Sequence, residues 1–250
     1  MDSIREAAQR GEATFGSWLT IRDPVVAEVL GKAGYDWVIL DTQHGAVGWD
    51  DLISLFQALD LGGTRGLVRV GWCDPMQIMR ALDLGAAGVI VPMVSTAEQA
   101  RMAAQATRYP PHGIRSYGPV RNYYAQSGTS APEPLCMVMI ETAEALQNLD
   151  AILATPGVDG VFVGPVDLAL SLGHGPALVM PAGVLAAIDD IIAACQRHGV
   201  IAGCAALGLD SARVLAERGM RFLSLGADVG LVRRGAAADL AQVRQWGKGA

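Results

Sequence analysis

Cysteine is scarce in this chain and is not arranged for disulfides or metal binding. The four cysteines, Cys73, Cys136, Cys195 and Cys204, form no CxxC pair and show no spacing typical of a zinc site. Cys136, Cys195 and Cys204 fall in apolar strand or helix patterns, where a small buried thiol is the ordinary interpretation. We therefore expect a protein of the reducing cytoplasm rather than of an oxidising compartment.

Positive charge is also scarce, and lysine most of all. The net charge of −6 argues against nucleic acid or an anionic membrane surface as the main partner. Only two lysines occur, Lys32 in the first helical pattern and Lys248 in the tail, and neither is placed as a buried nucleophile for Schiff-base chemistry. The N-terminus shows no apolar stretch like that of a signal peptide, and no apolar run is long enough to cross a bilayer.

What the chain does have is a regular alternation of apolar runs and amphipathic stretches. Predicted strands cover residues 16–20, 37–41, 66–70, 88–92, 136–141, 160–164, 200–204 and 222–226. Predicted helices cover residues 24–33, 50–61, 75–84, 96–107, 142–154, 181–198, 210–217 and 229–246. Eight strands alternating with eight helices favour one (β/α)8 TIM barrel domain over residues 1–250; a doubly wound open sheet is the alternative.

In two consecutive units of this pattern, an acidic residue stands at the end of the predicted strand or shortly after it. Glu141 closes one apolar run, and Asp167 follows the next one after Gly164-Pro165-Val166. Parallel strands end at the rim where α/β proteins place their chemistry, so the two acids are placed to hold one hard cation between them. An acid at a strand end also caps the following helix, and this alternative stays open for Asp41 and Asp167, whereas Glu is a poor capping residue.

Other polar residues stand at or near the ends of neighbouring strands. One predicted strand ends at Asp41 and runs into His44, and the next carries Arg69 among valines. An arginine there needs an anion, because an unpaired buried charge is very unfavourable. Asp83 follows in the next helical pattern. We expect these side chains to converge on one face of the barrel, although a histidine such as His44, taken alone, is more often an ordinary surface or core residue than a catalytic one.

A set of short motifs is spread over nearly the whole chain. These are Gly16-Ser17-Trp18-Leu19, Asp41-x-x-His44, Val68-Arg69-Val70, Leu82-Asp83-x-Gly85, Val91-Pro92-Met93-Val94, Tyr109-Pro110-Pro111-x-Gly113-Ile114-Arg115, Ile140-Glu141-Thr142 and Gly160-Val161-Phe162-Val163-Gly164-Pro165-x-Asp167-Leu168. By these motifs the chain resembles the HpcH/HpaI family of class II pyruvate aldolases.

This resemblance implies a metal-dependent carbon–carbon lyase. Glu141 and Asp167 would bind a divalent ion, Mg2+, Mn2+ or Co2+, which a 2-oxo acid such as pyruvate or hydroxypyruvate would chelate. The substrate site would include Trp18, Met139 and the segment Gly164, Pro165, Val166 and Asp167, whose backbone N–H groups would hold the carboxylate. The reaction would be the reversible cleavage of a 4-hydroxy-2-oxo acid into pyruvate and an aldehyde through an enolate.

The resemblance also implies roles for three catalytic residues. Arg69 would stabilise the negative charge of the enolate, and His44 with Asp83 would form the acid/base pair. Two positions depart from many relatives: Gln43 stands where they have Glu, and Met139 stands where they have Gln. Met139 should face the same way as Glu141 because side chains alternate along a strand, and plain core packing is its alternative role.

The remaining expectations concern the surface and the assembly. The Gly-, Pro- and Tyr-rich connection at residues 108–133 suggests a lid or acceptor contact around residues 115–121, and Arg22 suggests a contact for an acidic acceptor. Relatives form hexamers, so we expect a homo-oligomer in which helix 229–246 packs on a neighbouring subunit. The competing functions are a CoA-thioester lyase of the citrate-lyase β type and a non-catalytic barrel that binds an oxo acid.

Overall fold

The strands close into a barrel in which every neighbouring pair is parallel and chain order is kept all the way round. The computed structural model describes residues 4–125, 133–176 and 179–246. Its strands are β1 (Thr14–Leu19), β2 (Trp37–Asp41), β3 (Arg65–Arg69), β4 (Gly88–Val91), β5 (Leu135–Ile140), β6 (Gly160–Val163), β7 (Ile201–Ala205) and β8 (Phe222–Ala227). Because β8 returns to pair with β1, the predicted single-domain (β/α)8 barrel is confirmed and the open sheet is excluded.

Helices surround the barrel. They are α1 (Ile4–Gln9), α2 (Pro24–Lys32), α3 (Leu52–Gly62), α4 (Pro75–Asp83), α5 (Ala97–Ala106), α6 (Asn122–Ala125), α7 (Ala143–Gln147), α8 (Leu149–Leu153), α9 (Pro165–Ser171), α10 (Ala182–His198), α11 (Leu209–Arg218) and α12 (Asp228–Trp246), with a short 3-10 turn at Trp49–Asp51. Among these described helices, none is long and apolar enough to span a membrane.

Two differences from the predicted helices stand out. The stretch at residues 142–154 is two helices, α7 and α8, separated at Asn148, whose Nδ2 donates to the carbonyl of Ser95 at 2.8 Å. The short helices α1, α6 and α9 were not predicted, because six, four and seven residues are too few to show a helical period. Asp23 and Asp74 cap α2 and α4: the carboxylate of Asp23 accepts the backbone N–H groups of Val25 and Val26, and that of Asp74 accepts the N–H of Met76.

The barrel interior is filled rather than open. Trp37 and Phe222 stack at 3.8 Å between ring centroids, and Phe162 meets Phe222 edge-on at 5.8 Å. Gly16 has to be glycine, because a Cβ built there would lie 2.1 Å from the Trp37 ring. A second, larger cluster of apolar residues fills the layer between strands and helices. With no passage through the centre, chemistry is confined to the two ends of the barrel.

Helix α12 is fixed at its first residue and otherwise exposed. The buried carboxylate of Asp228 accepts from the backbone N–H groups of Thr20 and Ile21, at 2.9 and 2.8 Å, and so ties the loop after β1 to the start of this helix. From residue 231 to residue 246 every residue of α12 is exposed, and Trp246 retains 71% of its accessible surface. Within one chain the apolar residues of α12 therefore lack a covering surface.

Candidate active site

The two predicted metal-binding acids leave neighbouring strands at the same end of the barrel. Ile140 and Val163 are register partners in β5 and β6, so Glu141 and Gly164 emerge side by side at the carboxyl ends of these strands. Asp167 follows in the first turn of α9 and is exposed, whereas Glu141 is only 3% exposed. The site thus combines one buried and one solvent-facing carboxylate.

Both oxygens of Glu141 have defined surroundings. Oε1 accepts the backbone N–H of Met93 at 2.7 Å, at the exit of β4. Oε2 lies beside Gly164, where a Cβ would stand only 2.5 Å from it. The missing side chain at Gly164 is therefore what allows the carboxylate to reach the end of β6. One oxygen is held by the protein, and the other faces the side on which α9 and Asp167 begin.

The electrostatics of Glu141 favour a bound cation. The pKa of this carboxyl lies above its ordinary value, chiefly because burial disfavours the charged form. The hydrogen bond from the Met93 N–H and the charge of Arg69 lower this pKa, whereas the charge of Asp167 raises it. A cation bound between two carboxylates that repel each other stabilises both charges. Among the described residues no group of three or more His, Cys, Asp or Glu forms a metal site, and Glu141 with Asp167 stays the predicted pair of ligands. Water and substrate would complete an octahedral oxygen shell of the kind that Mg2+ requires.

The anion required by Arg69 is Asp41. Nε and Nη2 of Arg69 donate to the two oxygens of Asp41 at 2.9 and 2.6 Å, a bidentate pair between register partners of β2 and β3. The same buried carboxylate accepts the backbone N–H groups of Gln43 and His44 at 3.1 and 3.2 Å. Asp41 thus orients the arginine and shapes the turn that carries His44. The sequence analysis named Asp41 as a strand end and in the motif Asp41-x-x-His44 but did not predict its pairing with Arg69, which depends on the register of β2 and β3.

Two apolar residues complete the inner wall. Trp18 donates its indole N–H to Ser224 at 2.9 Å and lies beneath Arg69, whose guanidinium carbon is 4.4 Å from the ring centroid. Met139 is buried, and its Cε would be 3.1 Å from a Cβ at Gly164. Its side chain therefore reaches the same place as Glu141, as the alternation along β5 predicts. An apolar wall of this kind strengthens electrostatic contacts by excluding water.

The start of α9 offers backbone donors next to the acids. Gly164 precedes the helix, Pro165 occupies its first position, and the N–H groups of the first turn have no partner within the helix. Since Pro165 has no N–H, the donors of the predicted segment are those of Gly164, Val166 and Asp167. The resemblance assigned this segment to substrate binding, and that assignment stays a prediction.

His44 and Asp83 lie at opposite ends of the barrel. His44 is exposed in the turn after β2, whereas Asp83 ends α4 just before the chain enters β4. The backbone carbonyl and carboxylate of Asp83 bind the N–H of Arg121 and the Nη2 of Arg115, at 3.0 and 2.8 Å. Strands of five residues, about 16 Å long, separate these ends. The predicted acid/base pair is therefore not formed within one chain.

Residues 115–121, in the described part of the long connection, also lie at the far end, so the predicted lid or acceptor contact there does not reach Glu141 within one chain. The connection follows a helix and precedes β5, so it belongs to the amino ends of the strands, and only connections that follow strands reach the other face. Its described residues border a cavity of about 990 Å3, whose lining includes Arg65, Tyr109, Arg115 and Arg121 but neither of the two predicted metal-binding acids. Arg22 is exposed after β1, at the same end as Glu141, and stays a predicted acceptor contact.

The chain is similar over almost its full length to proteins of one family. The family profile described as HpcH/HpaI aldolase/citrate lyase matches residues 14–235. A 5-keto-4-deoxy-D-glucarate aldolase of Klebsiella pneumoniae is 39% identical, with 93% of each chain covered. A hydroxypyruvate/pyruvate aldolase of Rhizorhabdus wittichii is 36% identical, with 98% of this chain and 99% of the relative covered. A crystal structure of an HpcH/HpaI aldolase/citrate lyase family protein from Burkholderia cenocepacia superposes with a TM-score of 0.88 at 32% identity, covering 98% and 100%.

The burial of Glu141 has a measurable consequence for metal-free protein. Its pKa in the folded chain exceeds the ordinary value of 4.5, so the folded state binds this proton more tightly than the unfolded state, and stability falls as pH rises through that interval. We expect the Glu141→Gln variant, treated with EDTA, to unfold at a higher temperature than the wild type at pH 7. The difference should shrink as pH falls towards 4.5.

The control is Glu144→Gln, one turn further along and exposed. It should not change the unfolding temperature at either pH. A lower unfolding temperature for Glu141→Gln at pH 7 would contradict the view that the carboxylate is kept there at the expense of stability.

Proposed function

The chain belongs to the HpcH/HpaI aldolase/citrate lyase family and is a carbon–carbon lyase, and we propose that it cleaves 4-hydroxy-2-oxo acids reversibly into pyruvate or hydroxypyruvate and an aldehyde. The observation that carries the substrate proposal is the buried Glu141, whose pKa is raised by the charge of Asp167 and lowered by that of Arg69, itself paired with Asp41. A cation held by the two carboxylates, together with the guanidinium, would suit a substrate that is negatively charged.

We propose that Glu141 and Asp167 hold a divalent ion, Mg2+, Mn2+ or Co2+. When bound, such an ion supplies Lewis-acid polarisation of the ketone oxygen. The backbone donors at Gly164, Val166 and Asp167 would bind the carboxylate of the oxo acid. Trp18 and Met139 would keep water away from the side of the substrate that faces the barrel interior.

Arg69 would carry the main electrostatic task of the protein. When a base takes the proton of the C4 hydroxyl, the C4 carbonyl forms, the bond between C3 and C4 breaks, and its electron pair leaves an enolate on the pyruvate fragment, with negative charge on the former ketone oxygen. The Asp41 carboxylate holds the Nε and Nη2 edge of the guanidinium, and no described residue hydrogen-bonds to Nη1. Nη1 is thus the group available to donate to that oxygen, and its orientation is fixed before the substrate arrives.

Covalent catalysis through an imine has no support from the described residues. Lys32 lies exposed on α2 with its Nζ 3.6 Å from Glu28, and Lys248 lies outside the described residues. Cysteine nucleophiles are disfavoured as well, because burial raises the pKa of the Cys136 and Cys195 thiols to about 12. All four cysteines are free and three are buried, as expected, and this state fits the proposed cytoplasmic location.

For the acid/base step we propose that His44 of one chain pairs with Asp83 of a second copy. The pair is separated within one chain by the length of the barrel, so the proposal requires an oligomer. Helix α12 supports one independently, because its apolar residues Leu231, Val232, Leu240 and Val243 are exposed and a neighbouring subunit would cover them. We propose a homo-oligomer, a hexamer by analogy with the family.

The two competing functions receive less support. The relatives at 36% and 39% identity are named as aldolases, whereas a thioester lyase would need basic surface for the phosphates of CoA. A non-catalytic binding barrel would not need a guanidinium preorganised by a bidentate carboxylate in addition to the two acids.

The proposed reaction is tested by coupling pyruvate release to lactate dehydrogenase, with a panel of racemic 4-hydroxy-2-oxo acids. EDTA-treated protein should be inactive and should recover activity with Mg2+, Mn2+ or Co2+, and Glu141→Ala should not recover. Arg69→Lys should lower kcat about 100- to 1,000-fold, because the ammonium cannot reproduce the fork that Asp41 orients.

Matched controls lie close by in the sequence. Arg65→Lys, exposed at the opposite end of β3, and Glu144→Ala, exposed on α7, should both retain wild-type rates. No pyruvate from any substrate with any metal, in folded protein that rebinds metal, would exclude the aldolase assignment of the site.

The pairing across chains is tested by subunit complementation. His44→Ala and Asp83→Ala should each lower kcat about 100-fold or more. Co-assembly of the two variants should restore about a quarter of wild-type activity, since random assortment then joins an intact His44 to an intact Asp83 in that share of sites. A mixture no more active than the separate variants would contradict the shared site.

A further inference from the structure

We infer that Met93 is a positioning residue for Glu141, and that its unusual backbone conformation is what aims the Glu141 carboxylate. Among the residues that the structure describes, Met93 is the only non-glycine residue with a positive φ, 56°. Such a conformation is disfavoured for side chains other than Gly, Asn and Asp and persists only where the surroundings impose it. The inference rests on the proposed function, in which Glu141 binds the metal.

The positive φ at Met93 reverses the alternation by which successive side chains of β4 point to the barrel interior or to the outer core. Val89 and Val91 of β4 belong to the outer core and Ile90 to the barrel interior, as strand alternation requires. Continued alternation would turn Val94 inward, yet Val94 is buried in the outer core. The turn at Met93 thus seats Val94 between strands and helices, and it presents the Met93 N–H to Glu141 Oε1 at 2.7 Å.

A network of side chains bonded to Ser95, two residues after Met93, imposes this conformation. The backbone N–H of Ser95 donates to the Gln99 side chain at 2.7 Å, and its carbonyl accepts from Asn148 at 2.8 Å. The Ser95 hydroxyl bonds to the hydroxyl of Thr142, also at 2.8 Å. Every polar group of Ser95 is therefore committed to a side chain of a neighbouring element.

The Ser95–Thr142 bond makes this network relevant to the metal site. Thr142 directly follows Glu141 in the chain, so the segment that carries the donor is bonded to the segment that carries the acceptor. Two hydrogen bonds fix the distance between Met93 and Glu141: the one from the Met93 N–H to the Glu141 carboxylate, and the one between the hydroxyls of Ser95 and Thr142. With Oε1 held in this way, Oε2 remains on the Gly164 side, where the ion would bind. This accounts for the break between α7 and α8 as well, because Asn148 leaves the helical path to bind Ser95.

The test compares two substitutions that treat the backbone differently. Glycine adopts a positive φ freely and keeps the N–H, whereas a β-branched residue at this φ is a genuine outlier. Mn2+ affinity, measured by EPR on EDTA-stripped full-length protein, should be unchanged in Met93→Gly and weakened about 10- to 100-fold in Met93→Val, the range for losing a group that orients a ligand. Equal affinities of Met93→Val and wild type, or equal losses in both variants, would overturn the inference.

Two further variants keep the outcome interpretable. Ser95→Ala removes the link to Thr142 without altering backbone preferences and should weaken Mn2+ binding while the unfolding temperature stays near that of the wild type. It decides the question if Met93→Val does not fold, since wild-type Mn2+ affinity in Ser95→Ala would then refute the inference. Glu141→Gln separates the two claims: if it binds Mn2+ like the wild type, the proposed metal site fails, whereas loss of Mn2+ in Glu141→Gln alone refutes only the role of Met93.

Discussion

A buried carboxylate at the end of a barrel strand is the constraint around which this structure is organised. Glu141 is almost fully removed from solvent, and burial shifts its pKa upward because the charged form loses hydration. Three features of the chain exist to accommodate it: a glycine at position 164, a backbone N–H delivered by the reversal at Met93, and the positive charge of Arg69. A group this unfavourable for folding is retained where function requires it.

The cationic half of the site is built by a different device. Arg69 and Asp41 are register partners on adjacent strands, so their pairing follows directly from the barrel geometry rather than from a loop. Trp18 stacks beneath the guanidinium and fills the top of the interior, where it meets Phe162 edge-on at 5.7 Å. The charge that would stabilise an enolate is therefore held by rigid elements, which is the condition for electrostatic preorganisation.

Much of this arrangement can be predicted from the sequence, and the residues whose position was predicted wrongly share one cause. The strands, the barrel and the exceptional status of Glu141 and Arg69 follow from apolar runs that end in charged residues. The resemblance predicts Asp83 at the same face as Glu141, and the Gly-, Pro- and Tyr-rich composition of the long connection suggests a lid there around residues 115–121. Both lie where helices return to strands, and the alternation of elements already implied that end of the barrel. The positive φ of Met93 could not be predicted, because it depends on the contacts of Ser95 with Gln99, Thr142 and Asn148. No local sequence pattern encodes these contacts.

The central claim is that Glu141 and Asp167 form an open divalent-metal site, and the most direct measurement is crystallographic. Crystals grown with Mn2+ and pyruvate should give an anomalous peak about 2.1 Å from one oxygen of each carboxylate, with pyruvate against the start of α9 and Arg69. Mn2+ bound only at other carboxylates, or pyruvate bound away from Arg69, would contradict the account.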